Sequence, residues 1–304
     1  MPQLVECVPN VSEGRDAAKI DSIVRSVEAV PGILLLDRHS DADHNRSVVT
    51  FAGPPEAVAE AAFRLVECAA ALIDLTKHQG AHPRIGAADV VPFIPIEGVT
   101  LEDCAGIAVR VSERIWSELR ISVFLYEAAA RRPERVSLAN VRRSQFEALL
   151  TETGEDPLRA PDIGDPACHP TAGAVAVGAR KFLIACNVNL KSADVAVAQR
   201  IARTVRFSSG GLPCVKAMGV MLASRGIAQV SMNLTDFEVT PLHVALEAVG
   251  REAERHGVPV LETEIVGLIP RKALDRCGDR WSGLILEDRI AGAMASRDRE
   301  GAVD

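Results

Sequence analysis

The feature that most constrains this chain is one order of elements written twice. Leu4 to Val8 is a short apolar run ended by Pro9-Asn10. Ile20, Ile23, Val24 and Val27 then recur at helical spacing until Pro31-Gly32 stops them. Ile33 to Asp37 predicts a strand, His39 to Asn45 a polar turn, and Ser47 to Ala52 a further strand. Gly53-Pro54-Pro55-Glu56 opens a helix with Val58, Ala62, Leu65, Val66, Ala69 and Leu72 on one face. Val90 to Ile96 closes the series as β-α-β-β-α-β.

From Phe182 the order begins again. Phe182 to Val188 predicts a strand, and Val195, Ala198, Ile201, Ala202 and Val205 a helix face. Val215 to Leu222 is strand-like, and Ala228, Val230, Met232 and Leu234 alternate with Gln229, Ser231 and Asn233. Thr240-Pro241 caps a helix carrying Leu242, Ala245, Leu246, Val249 and Ala253, and Gly257 ends it. Val258 to Ile269 supplies the last strand. The copies span residues 4–96 and 182–269. They imply an α/β (α+β) chain of two ferredoxin-like βαββαβ subdomains, 1–178 and 179–304. A cleft between two such units is a natural ligand site.

The stretch joining the copies is less orderly. Thr100 with Asp103 reads as a capping box, followed by Cys104, Ile107, Ala108, Val111 and Ile115 on a helix face. Ile121 to Tyr126 predicts a strand. Residues 128–165 carry Arg131, Arg132, Arg135, Arg142 and Arg143, a pattern expected of a solvated face. The tail after Ala295 is expected to fray.

Charge and composition exclude several function classes. A net charge of −7 argues against a nucleic-acid or anionic-membrane partner, and aromatics at 4% leave few stacking platforms for bases. An anionic substrate therefore needs a local basic pocket. Seven scattered cysteines with no CxxC pair predict a reduced, cytoplasmic chain without a disulfide framework. The N-terminal residues show no secretory signal, and the sequence has no apolar run long enough for a membrane span.

Polar chemistry concentrates in Lys77-His78-Gln79-Gly80-Ala81-His82-Pro83-Arg84-Ile85-Gly86, a loop between a helical and a strand-like run. Its bland reading is helix-terminal cations on a surface loop. Its functional reading is His82 as general base or acid. Spacing alone does not separate His82 from His78. The pair, with His39, Asp41, Asp43 and His44 on another turn, permits a metal reading. Gly80 and Pro83 break the helical display that such a pair needs, so no metal is expected. In Asp41 to Arg46, Asn45 and Arg46 read either as turn formers or as a grip on a carboxylate.

Gly164-Asp165-Pro166-Ala167-Cys168-His169-Pro170-Thr171-Ala172-Gly173 lacks the end of a P-loop. It is either a linker or a loop whose glycines allow a flat ligand close to the backbone. Arg180 and Lys181 follow it, as an anion site or as strand-edge charges. Cys168 and His169 are neighbours, unlike the usual Cys-His catalytic pair, and no GxSxG occurs.

Four segments resemble a known family. Val5-Glu6-Cys7-Val8-Pro9-Asn10-Val11-Ser12-Glu13-Gly14, Asn45-Arg46-Ser47-Val48-Val49-Thr50, His82-Pro83-Arg84-Ile85-Gly86-Ala87 and Gln229-Val230-Ser231-Met232-Asn233-Leu234 are similar to the glutamate formimidoyltransferase (formiminotransferase) domain of the formimidoyltransferase-cyclodeaminase family. The likeness is collinear from residue 2 to about residue 275. Val11 stands where the mammalian pattern has Phe, and the turn from Arg38 to His44 differs.

The resemblance implies a stand-alone transferase moving the formimino group of N-formimino-L-glutamate to nitrogen 5 of tetrahydrofolate, a co-substrate, in histidine degradation. It implies two α/β subdomains with folate between them, His82 as the catalytic residue, and folate contacts along Gly164 to Gly173. In that stretch the flanking glycines, the prolines and the small residues carry the likeness. Asn45, Arg46 and Arg84 are the candidates for holding formiminoglutamate, and Asp37 for orienting the imidazole. A homodimer is expected, with a separate cyclodeaminase to process the product. A formiminoglycine-dependent sister enzyme and a non-catalytic folate-binding module are the competing readings.

Overall fold

The computed structural model describes residues 3–42, 44–80, 83–143, 145–152, 159–222, 225–275, 277 and 284–300. The chain divides into two compact units, Met1–Arg180 and Lys181–Asp304.

In the first unit, β1 (Leu4–Cys7) and β2 (Asn10–Val11) form one strand interrupted at Val8-Pro9. They are followed by α1 (Ala17–Glu28), β3 (Leu34–Asp41), β4 (Arg46–Gly53), α2 (Pro55–Leu72) and β5 (Ala88–Glu97). β1 and β2 lie between β4 and β5, and β3 pairs outside β4, all antiparallel. This is the ferredoxin-like order that the repeat implied. Local chemistry fixes the ends of the helices. Asp16 caps α1 by accepting from the Ala18 and Lys19 amides. Thr100 and Asp103 close a reciprocal capping box at the start of α3 (Leu101–Leu119). The apolar faces of α1, α2 and α3 cover one face of the sheet, burying Val5, Cys7, Phe51, Val91, Phe93 and Val177.

The turn expected from His39 to Asn45 is shorter than its composition suggested. β3 runs on to Asp41, opposite Arg46, and the Ser40 and Ser47 hydroxyls meet at 2.8 Å. A cross-strand hydroxyl pair lets polar residues continue a ladder that their turn propensity would end.

The larger correction is β7 (Ala174–Ala179), a stretch to which the sequence assigned no element and which it placed at the boundary between residues 178 and 179. After α3 come β6 (Ser122–Glu127), α4 (Leu138–Val141) and α5 (Gln145–Glu152). β7 then inserts between β5 and β6, parallel to both. Ala-Val-Ala-Val-Gly-Ala is buried along its whole length. Its small side chains hid it, because a strand packed on both faces shows no alternation. The arginines of 128–165 are likewise not all solvated. Arg135 is 4% exposed, stacks 4.5 Å from the centre of the Phe124 ring and donates to the Ala160 carbonyl at 2.9 Å. On this second face, Val141 and Leu149 of α4 and α5 pack with Val90, Phe124, Tyr126 and Ala176.

The second unit holds β8 (Ile184–Leu190), α6 (Val195–Val205), β9 (Val215–Leu222), β10 (Ile227–Leu234), α7 (Leu242–Arg255) and β11 (Val260–Val266). Its sheet runs β11-β8-β10-β9, antiparallel throughout. With β8 as first strand this is the order of β1, β3, β4 and β5 in the first unit. The strand expected from Val258 to Ile269 divides at Gly267, where φ is +79°. Beyond it, β12 (Leu268–Ile269) pairs in parallel with β13 (Leu284–Ile285), and α8 (Arg271–Leu274) lies between them in sequence. Where a fraying tail was expected, α9 (Leu286–Glu300) is helical. Asn189 bridges a polar row across this sheet, accepting from Gln229 at 2.8 Å and donating to Glu262 at 2.9 Å. All seven cysteines are free thiols. Among the described residues no helix is long and apolar enough to cross a membrane.

Two measurements test this architecture. A Cβ at Gly178 would lie 2.4 Å from the Tyr126 carbonyl oxygen. Gly178→Ala should therefore destabilise the chain by about 2 kcal/mol in urea unfolding, the cost of overpacking a tight site. A loss under about 0.5 kcal/mol would mean that β6 and β7 do not approach so closely. Glu6, on β1, is 1% exposed, and its Oε1 has no hydrogen-bond partner. Burial raises its carboxyl from 4.5 to about 7 against the pull of Arg180. An acid raised on folding keeps its proton longer in the native state, so stability falls as pH rises from about 4.5 to about 7. Glu6→Gln should be nearly neutral at pH 4 and stabilising at pH 8, by up to about 3 kcal/mol in paired denaturation curves. Equal effects at both pH values would contradict the shift.

Candidate active site

The site grows from the segments at one end of the first unit's central strands. Ser12, His44, Asn45, Arg46, His78, Arg84 and Asp89 line a shallow depression. Three stretches of chain supply them: the end of β2, the turn entering β4, and the connection from α2 into the first residues of β5. Ser12 donates its hydroxyl to the Gly86 carbonyl at 2.7 Å, and its amide bonds the Ala87 carbonyl at 2.8 Å. Asn45 is 7% exposed and holds a left-handed φ of +49°. It is tolerated there because its side chain is fully engaged. Its Oδ1 accepts from the Gly14 amide at 2.9 Å, and its Nδ2 donates to the Gln79 carbonyl at 3.0 Å.

His78 has both ring nitrogens in use. Nε2 lies 2.9 Å from the Asn45 carbonyl oxygen, which only accepts, so Nε2 carries the proton. Nδ1 then accepts from Arg84 Nε at 3.0 Å. No ring lone pair remains to serve as a base. Arg84 is 7% exposed, and its guanidinium grips Glu147 of α5 with two bonds, at 3.0 and 2.7 Å. Those bonds hold the Glu147 carboxyl below its ordinary range. The Arg84 fork is thus filled by an internal carboxylate. Burial, reinforced by Arg142, lowers the Arg46 guanidinium, while Asp89 and Asp41 oppose that shift.

A second ion pair, Asp89 with Arg142, joins the same region. Asp89 is 1% exposed, accepts from the Ile85 amide at 2.7 Å and pairs with Arg142, which follows α4. Together the two pairs fasten α4 and α5 to the exit of the Lys77–Gly86 loop. Ala81, His82 and Asp43 lie outside the described residues. The loop is anchored on both sides of them. A Cβ at Gly80 would sit 2.3 Å from the His44 carbonyl oxygen, and Arg84 is held as described.

The stretch from Gly164 to Gly173 joins the same region. The Ala87 amide donates to the Ala172 carbonyl and the Ala174 amide to the Ile85 carbonyl, each at 2.9 Å. At its other end, Ser122 donates its hydroxyl to the Asp165 carbonyl at 2.7 Å. His169 and Gly173 exchange backbone bonds, and His169 Nδ1 accepts from the Ala172 amide at 3.0 Å. Burial lowers the His169 imidazole and pushes the Cys168 thiol up to about 12, the opposite of an activated pair. Asp165, Pro166, Ala167 and Pro170 remain exposed.

Of the other residues read from sequence, His44 forms a pair with Asp41, 2.9 Å from Nδ1 to Oδ2. Asp37 lies on β3 opposite Thr50, and His39 opposite Val48. Neither lines the depression. Among the described residues no three His, Cys, Asp or Glu side chains converge as metal ligands. Sequence reasoning missed Asp89, Arg142 and Glu147. The latter two sit in the polar segment where no periodicity marked a buried position, so nothing in the sequence signalled them.

Comparison with known proteins gives the family. Residues 4–180 match the family described as the formiminotransferase domain, N-terminal subdomain, and residues 185–283 the one described as the formiminotransferase domain. The chain is 50% identical over 274 residues to a glutamate formimidoyltransferase of Streptococcus pyogenes serotype M1, covering 90% of this chain and 91% of that one. It is 43% identical over 272 residues to a glutamate formimidoyltransferase of Thermoplasma acidophilum, covering 89% of each. A formimidoyltransferase-cyclodeaminase of Mus musculus is 45% identical over 280 residues, and the match spans 90% of this chain but 51% of that relative. The chain belongs to the formiminotransferase family.

Proposed function

We propose that this chain is a formimidoyl transferase that moves the formimino group of N-formimino-L-glutamate onto nitrogen 5 of tetrahydrofolate, releasing glutamate. The observation that carries this is the 50% identity, over nine-tenths of both chains, to a protein named for that activity. The reaction needs two bound substrates brought together, and positioning is its main source of rate. Nitrogen 5 attacks the formimino carbon to give a tetrahedral centre. His82 takes the proton that nitrogen 5 loses and returns it to the glutamate nitrogen as the carbon–nitrogen bond breaks. Support for His82 over His78 comes from the double engagement of the His78 ring. Arg46 with Asn45 grips a carboxylate of the donor. Gly164 to Gly173 contacts the folate, a role supported by its backbone bonds to the residues that follow His82. The enzyme works in the cytoplasm, in histidine degradation, as a homodimer, and a cyclodeaminase activity consumes its product.

Three outcomes test the reading. Purified chain with tetrahydrofolate should form product from formiminoglutamate, followed by its conversion in acid to the methenyl form. A preference for formiminoglycine would keep the mechanism and replace the donor; no product from either, with folate bound, would favour a binding module. His82→Ala should lower turnover by at least about 10²-fold with tetrahydrofolate binding intact; turnover within about twofold of the parent would remove His82 from the chemistry. Arg46→Ala should raise the KM for formiminoglutamate by about tenfold or more, as loss of a charged hydrogen bond requires. An unchanged KM would end the carboxylate assignment.

A further inference from the structure

We infer that Glu147 is a positioning residue for the donor site, acting through Arg84 and His78 on the turn that presents Asn45 and Arg46. The inference rests on the transferase reading above. Four groups form one line of hydrogen bonds. The Glu147 carboxylate accepts two bonds from Arg84, Arg84 Nε donates to His78 Nδ1, and His78 Nε2 donates to the Asn45 carbonyl. Each link fixes the next. The carboxylate orients the plane of the guanidinium, because two parallel bonds leave it no rotation. The guanidinium selects the tautomer of the imidazole, because Nε–H needs a lone pair on Nδ1. That tautomer has its N–H where the Asn45 carbonyl needs a donor.

Asn45 is the point of leverage. Its left-handed backbone, at φ +49°, is held by what surrounds it. Its side chain clasps Gly14 on one side and Gln79 on the other, and its carbonyl receives His78. Arg46, next in the chain, inherits its direction from that conformation. Glu147 is far from this turn in sequence, and its side chain is 65% exposed, so it contributes little as a packed group. A mostly exposed carboxylate closing a buried fork suits an orienting role better than one in core stability.

The test is steady-state kinetics of Glu147→Gln in the full chain, with each substrate varied. The KM for formiminoglutamate should rise by about tenfold, with kcat within about threefold and the KM for tetrahydrofolate within about twofold. Glu147→Asp, which keeps the charge, should recover most of the loss. Arg84→Lys keeps charge but not the fork, and should repeat the KM effect if Glu147→Gln folds poorly. Nitrogen-15 spectra should show His78 as the Nε2–H tautomer in the parent and as a mixture in Glu147→Gln, a change that lost packing would not cause. An unchanged donor KM in both variants overturns the inference. So does a lowered one, which would make Glu147 a competitor for the substrate anion at the Arg84 fork. If the parent chain transfers nothing from formiminoglutamate, the transferase reading fails instead, and the His78 spectra still decide whether the relay exists.

Discussion

Two glycines facing each other across a backbone crossing hold the functional end of the first unit together. The Ala87 and Ala174 amides bond the Ala172 and Ile85 carbonyls, and Gly86 and Gly173 lie between these bonds. A Cβ on Gly86 would sit 1.9 Å from the Ala174 carbonyl oxygen, and one on Gly173 2.2 Å from that of Ile85. No other residue permits so close a crossing, and φ at Gly173, +72°, excludes most of them independently. This junction sets the entry of β7 into the sheet and the exit of the loop bearing His82 from the same point. Segments separated by almost ninety residues thereby become neighbours.

Charge does the remaining work at this end. Arg84 with Glu147 and Asp89 with Arg142 pair across 63 and 53 residues of sequence, tying α4 and α5 to the start of β5. Neither pair is expected to add much net stability, because desolvating such groups costs about as much as their attraction returns. What they provide is direction. An arginine whose fork is filled has one orientation, and so has the histidine bonded to it.

The parts legible in the sequence were those whose chemistry is local. The helix faces of α1, α2, α6 and α7, the capping box at Thr100 and the alternation in β10 announced themselves in windows of a dozen residues. The repeat of order then gave both ferredoxin-like sheets. β7 was invisible because alanine, valine and glycine buried on both faces resemble a linker. The burial of Arg135 and the pairing of Arg142 were invisible because a basic run looks solvated until its partners, Phe124 and Asp89, are placed beside it. Within the site, Asn45, Arg46 and the Lys77–Gly86 loop were marked by residue type. That Arg84 faces an internal carboxylate, and that His78 is a strut, depend on contacts no spacing encodes.

The late arrival of β7 also shapes how the chain reaches this state. β5 ends at Glu97 and β6 at Glu127, yet the strand that separates them begins at Ala174. Until that strand has left the ribosome, β5 and β6 have no hydrogen-bonding partner on the sides that will face it. A nascent chain therefore carries an open sheet edge at β5 and an unpaired β6 through some fifty residues of synthesis, the interval in which edge pairing with another chain is least opposed. The slow, non-local step of folding is then the docking of one short, nearly featureless strand between β5 and β6. Small side chains suit that step, because they thread into a gap that bulky ones would have to prise open.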